Sequence, residues 1–208
     1  MSEFESFGVW ICDHTGELLV PAVETGVSLP KSLVMDIFQA YSEIHTSRER
    51  LGQITRYASR APLASLSVSK LDYLRFQIES YFQEAYILKM RIDAFLNLLE
   101  KQPLLRRHKE IAKLRCVVST ATNSIVGLRG KHVHKKRLDN QEITGLAALE
   151  LIATLGKNRK AAQLLTLRYP TVQKKWCEQL KKTNDAINSL LDDVFKKCRQ
   201  LAEQVIVG

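Results

Sequence analysis

The chain has 208 residues, 45% hydrophobic and 25% charged, the balance of a globular protein with enough apolar material for a sizeable core. No apolar run approaches the roughly 18 residues of a membrane span, and the acidic start Met1-Ser-Glu-Phe-Glu-Ser6 carries no signal-peptide pattern. Four cysteines, at 12, 116, 177 and 198, lack CxxC spacing, which predicts reduced thiols in a cytoplasm rather than a disulfide framework or a zinc knuckle.

The net charge of +9 is uneven: residues 1–100 hold 9 Lys/Arg against 13 Asp/Glu, and residues 101–208 hold 22 against 9. Between Arg106 and Arg137, ten basic residues face one acid, Glu110, which points to a polyanion partner or else to a solvated basic helix face.

In chain order, residues 7–27 show no helical period: Phe7, Val9 and Ile11 alternate, Asp13-His14-Thr15-Gly16 can turn, and Leu18-Leu19-Val20 can return. This predicts a small hairpin or an irregular arm over 1–27, with His14 as a turn residue. Ser28 and Pro30 form a good helix start, and Leu33, Ile37, Tyr41, Ile44, Leu51 and Ile54 keep a stripe to about residue 58, weakest at Thr46-Ser47-Arg48. A loop with Pro62 follows.

Ser69-Lys-Leu-Asp72 resembles a capping box, and Leu71, Leu74, Ile78, Tyr81, Ala85, Leu88, Ile92, Phe95 and Leu99 then step by three and four. Nine positions in register predict a long amphipathic helix, packed lengthwise on others or forming a coiled-coil seam. Pro103 opens a third helix with Leu104, Ile111, Leu114, Val118, Ala121, Ile125 and Leu128 inward, and His108 at the core edge. The apolar pattern stops at Leu128. Asp139-x-x-Glu142 recaps, Ile143, Leu146, Leu149 and Ala153 continue, and Gly156 can terminate. A short basic helix from Lys157 is expected to end at Tyr169-Pro170, before a final helix carrying Val172, Trp176, Leu180, Ile187, Leu190, Val194, Cys198, Leu201 and Val205, which Thr183-Asn184 can interrupt. The whole predicts an all-α chain: an antiparallel bundle of four to five long helices over 28–208, with the N-terminal hairpin or arm.

No P-loop, GxGxxG, HExxH or GxSxG occurs. Cys116, His132 and His134 lack a fourth ligand and the tight spacing of structural zinc, so no metal is assigned. The chemistry-bearing stretch is Leu128-Arg-Gly-Lys-His-Val-His-Lys-Lys-Arg137. Arginine grips phosphate through a planar, permanently charged fork. Histidine moves protons near neutrality. At an RNA phosphate, His134 can deprotonate a 2′-hydroxyl while Arg129 steadies the charge that develops, with no metal or cofactor required.

Arg129-Gly-Lys-His-Val-His134 is an Arg-x4-His pattern, and in an all-α setting it resembles the HEPN superfamily of RNases and RNase-like modules. The resemblance covers the helix layout from about Ser69 to Gly156, but only this motif in residues. It implies a metal-independent endoribonuclease, acting as a homodimer through a composite cleft and leaving a 2′,3′-cyclic phosphate. It also implies a toxin or antiphage role with a possible antitoxin or regulatory partner. Arg129 and His134 are then catalytic with His132 assisting, and Lys131, Lys135, Lys136, Arg137, Arg106, Arg107 and Lys109 hold RNA. Family RNases usually carry Asn, Asp or His directly after the arginine, where this chain has Gly130. Two further readings stand beside it: a noncatalytic RNA-binding or regulatory protein of the same fold, and a helical scaffold using the 71–99 stripe as a partner interface.

Overall fold

The computed structural model describes residues 1–25, 32–60, 62, 68–102, 105, 108–134 and 140–206, and side chains for all of these except 17–25, 124–134 and 204–206. The described chain is all-α: α1 (Glu3–Thr25), α2 (Leu33–Ala58), α3 (Lys70–Glu100), α4 (Lys109–His134), α5 (Gln141–Thr154) and α6 (Arg159–Ile206). No described helix is long and apolar enough to cross a membrane. Two compact units form, residues 1–48, 87–123 and 186–208 in the first and 49–86 and 124–185 in the second.

In the first unit, residues 3–25 are helical where a hairpin or irregular arm is expected. Ser2 Oγ accepts the Glu5 amide and the Ser2 amide donates to Glu5 Oε2, both at 3.2 Å, which is a complete capping box. The period is 3.6 rather than 2: Phe4, Phe7, Ile11 and Thr15 are buried, whereas Val9 is 50% exposed. His14 lies inside α1, its Nδ1 2.8 Å from the Trp10 carbonyl, and not in a turn. Asp192 accepts the Phe4 amide at 3.0 Å, a carboxylate at a helix N-terminus where the macrodipole favours it.

Rings fill the interior of this unit. Phe195 meets Phe4 edge-on with centroids 4.9 Å apart, and touches Phe7 at 5.1 Å and Phe95 at 5.2 Å. A Cβ on Gly8 would collide with the ring of Tyr41, so only glycine lets α1 approach this closely. Tyr41 donates its hydroxyl to the Phe4 carbonyl at 3.2 Å, and burial pushes its pKa up to about 12. The weak point at 46–48 is no break. Arg91 donates to Ser47 Oγ at 2.5 Å and to the Glu43 carbonyl at 2.9 Å, while Arg48 donates to Asn188 at 3.0 Å and lies 5.2 Å over the Phe4 ring.

The second unit contains the start of α3, where Ser69 Oγ accepts the Asp72 amide at 3.0 Å. Asp72 pairs with Arg75 at 3.5 Å, so it serves as a first-turn acid beside the cap. All nine positions of the α3 stripe are buried in the single chain, which leaves it unavailable as a seam to another molecule. The cap of α5 is Asn140, whose side chain accepts the Glu142 and Ile143 amides at 2.9 and 3.3 Å; the expected Asp139 cap lies outside the described residues. Asn is as good a cap as Asp, and position 140 sets the helix start one residue later than the Asp-x-x-Glu spacing suggests. Beyond α5, a Cβ on Gly156 would lie 2.6 Å from the Ile152 carbonyl oxygen, and Lys157 takes a left-handed φ of 46°.

α6 runs unbroken through Pro170 and Thr183-Asn184, against the expected breaks. A proline inside a helix loses one hydrogen bond and crowds the carbonyl four residues back, a local cost of about 3 kcal/mol. Neighbouring anchors offset it: Asn158 accepts the Ala161 amide at 3.1 Å, Tyr169 donates to the Lys70 carbonyl at 3.1 Å, and Gln173 donates to the Ala58 carbonyl at 3.0 Å. Trp176, buried among them, is a core anchor as expected.

Candidate nucleic-acid interface

α4 carries the candidate stretch, and it does not stop at Leu128. Helical backbone continues to His134, so positions 129, 131, 132 and 134 occupy its last turns; their side chains lie outside the described set. At 3.6 residues per turn, position 132 falls one turn from 129 on the same side, and position 134 lies about 140° further round. Within one copy, helix register therefore sets positions 129 and 132 on one side of α4 and positions 131 and 134 on another. Arg106, Arg107, Lys135, Lys136 and Arg137 lie outside the described residues. Lys109, the first residue of α4, is exposed and belongs to the first unit, whereas positions 129–134 belong to the second.

The start of α4 also departs from expectation. His108 precedes it, half-buried, and its Nδ1 lies 3.3 Å from the Glu110 amide, the position of a capping acceptor. Inward positions run Ile111, Leu114, Val118 and Thr122, while Ala121 faces solvent. Thr122 is tolerated because its hydroxyl donates to the Val118 carbonyl at 2.7 Å.

Acids partly neutralise the early basic strip. Lys113 reaches Glu110 at 2.5 Å, and this hydrogen bond holds the Glu110 carboxyl below its usual range. Arg115 donates to Glu100 at 2.7 Å and to Asn97 at 2.6 Å. Those two cations belong to ion pairs on a solvated helix face, and such exposed pairs contribute little to stability. The other basic candidates are Arg106, Arg107, Lys109 and the stretch from Arg129 to Arg137.

The four cysteines are unbridged, Cys12 and Cys116 exposed and Cys198 fully buried with its thiol pKa pushed up by burial. No group of three His, Cys, Asp or Glu side chains capable of holding a metal occurs among the described residues.

Two features of the second unit escaped sequence reasoning. Among the described residues, Arg75 Nε, Glu79 Oε1, Tyr81 Oη, Trp176 Nε1 and Asn184 Oδ1 are buried without a hydrogen-bond partner, and these five belong to this unit. The other feature is exposed leucine: Leu151, Leu155 and Leu167 are 58%, 76% and 73% exposed. A signal for the second was present, since Ile143 to Leu155 is apolar on more than one face of a helix.

Comparison with family profiles, curated proteins and solved structures finds no match for this chain.

Proposed function

We propose that this protein is a metal-independent endoribonuclease of the HEPN type, working as a homodimer whose two α4 ends face each other across one cleft. The observation that carries the reading is the course of α4 through His134, which sets Arg129 and His134 in the last turns of a helix, directly before Lys135-Lys136-Arg137. An all-α chain and a basic C-terminal half support it.

His134 takes the proton of a 2′-hydroxyl, and the 2′-oxygen forms a bond to phosphorus. Arg129 steadies the negative charge that develops on the phosphoryl oxygens. The bond from phosphorus to the 5′-oxygen breaks, and that oxygen leaves with a proton from a second histidine, either His132 or the second copy's His134. The products are a 2′,3′-cyclic phosphate and a 5′-hydroxyl. Because positions 129 and 134 lie about 140° apart on one helix, a second copy of α4 completes the pair. Lys131, Lys135, Lys136 and Arg137, with Arg106, Arg107 and Lys109 earlier in the chain, hold the strand by charge. The role is that of a toxin or antiphage effector in the cytoplasm, restrained by an antitoxin or regulatory protein.

The test is cleavage of single-stranded RNA with a chelator present. Wild-type protein produces cyclic-phosphate ends, and His134→Ala and Arg129→Ala each lower the rate by about 10²-fold or more while circular dichroism stays unchanged. Equal cleavage by both variants sinks the assignment. Gly130 favours a second reading, a noncatalytic RNA binder of the same fold. That protein shows RNA affinity falling steeply with salt and yields no product.

A further inference from the structure

We propose that the groove between α5 and the first part of α6 docks an acidic amphipathic helix of a partner protein. The groove encloses about 700 Å³ and is walled by Leu146, Leu149, Leu164, Leu167 and Val172, all within the second unit. Leu167 is 73% exposed and Leu164 39% exposed, and Ile152, 49% exposed, follows Gly145 and Leu149 on the same side of α5 by helix register. Contiguous exposed apolar surface of this kind marks an interaction site on a folded domain. Two helices side by side leave a channel whose ridges accept a third helix, and none of these residues offers a strand edge to an extended peptide.

Charge selects the occupant. Arg168 lines the groove, and Lys160 and Lys174, both exposed, fall two turns before and after Leu167 on the same side of α6 by helix register. The acids along this part of the chain are Glu142, occupied by Lys175 at 2.7 Å, and Glu150. The uncompensated rim is basic, so a segment with leucines on one side and carboxylates beside them complements both wall and rim. A second copy of this chain would bring a like-charged rim against it. RNA presents no aliphatic ridge to fill the groove, and the walls carry no aromatic ring on which bases stack. The inference rests on residues apart from Arg129 and His134 and stands whether or not the protein cleaves RNA.

The experiment uses the full chain and a fluorescein-labelled three-heptad peptide with Leu at the first and fourth heptad positions and Glu elsewhere. A companion peptide carries Lys in place of every Glu. The Glu peptide is expected to bind wild-type protein, to weaken steeply with salt, and to bind at least about tenfold tighter than the Lys peptide. Leu164→Ser with Leu167→Ser lowers its affinity by about tenfold or more; both side chains are exposed enough for the fold to survive, which circular dichroism verifies. Arg129→Ala and His134→Ala leave peptide binding unchanged, separating this site from the proposed catalytic one. Equal affinity for the two peptides, or equal affinity of wild type and the double variant, overturns the proposal. So does a wild-type chain that ignores the Glu peptide but binds phosphatidylserine vesicles or dimerises through Leu164 and Leu167.

Discussion

The two units spend their sequence differently. The first closes on a ring cluster of Phe4, Phe7, Tyr41, Phe95 and Phe195, and its buried polar groups find partners: Tyr41 with the Phe4 carbonyl, Ser47 with Arg91, Thr15 with the Ile11 carbonyl. In the second, leucines remain in water and, among the described residues, five buried polar atoms have no partner. A partnerless buried donor or acceptor costs about 1–3 kcal/mol, which a unit selected for stability alone would shed. The unit with the exposed leucines and the partnerless polar atoms is also the one that holds positions 129–134.

The largest expected effect tests the closed unit. Phe195→Ala removes a ring packed against four others and should lower stability by about 3–5 kcal/mol in denaturant unfolding. Leu167→Ala in the open unit should change it by less than about 0.5 kcal/mol. Similar losses at the two sites would erase the contrast.

A pH experiment sharpens the same comparison. Tyr41 has its folded-state pKa raised from 10.0 to about 12 by burial. Its folded form therefore holds a proton that the unfolded chain releases first. The stabilisation is fully present below pH 10, declines as pH rises, and is gone above about pH 12. Unfolding monitored from pH 9 to 12 should show this alkaline loss, and Tyr41→Phe should reduce its steepness.

The smallest effect compares two buried tyrosines. Tyr41→Phe deletes a satisfied hydrogen bond and should cost about 1 kcal/mol. Tyr81→Phe deletes a hydroxyl without a partner and should be neutral or stabilising. A large loss at Tyr81 would mean that its hydroxyl is satisfied after all.

Much of this fold was legible in the residues. The α3 stripe reads correctly at all nine positions because a long helix repeats one instruction many times. α1 was misread because Phe7, Val9 and Ile11 also fit alternation, and three positions cannot separate two periods; the Ser2-x-x-Glu5 box was the signal that decides it. Pro170 reads locally as a stop, and only the contacts of Tyr169 and Gln173 with distant carbonyls explain why α6 continues. At the candidate site, residue types were legible but register was not. Taking Leu128 as the end of the helix conceals that Arg129 and His134 share α4 and lie on different sides of it.

That register makes the central claim testable by complementation. Arg129→Ala and His134→Ala proteins are each expected to be inactive alone, and mixing them after subunit exchange should restore cleavage. In the mixed dimer one copy supplies the arginine and the other the histidine of the single cleft, so with about half of the dimers mixed the rate should return to roughly half of wild type at most. A mixture that stays inactive, while wild-type protein cleaves under the same conditions, would contradict a site completed across two copies.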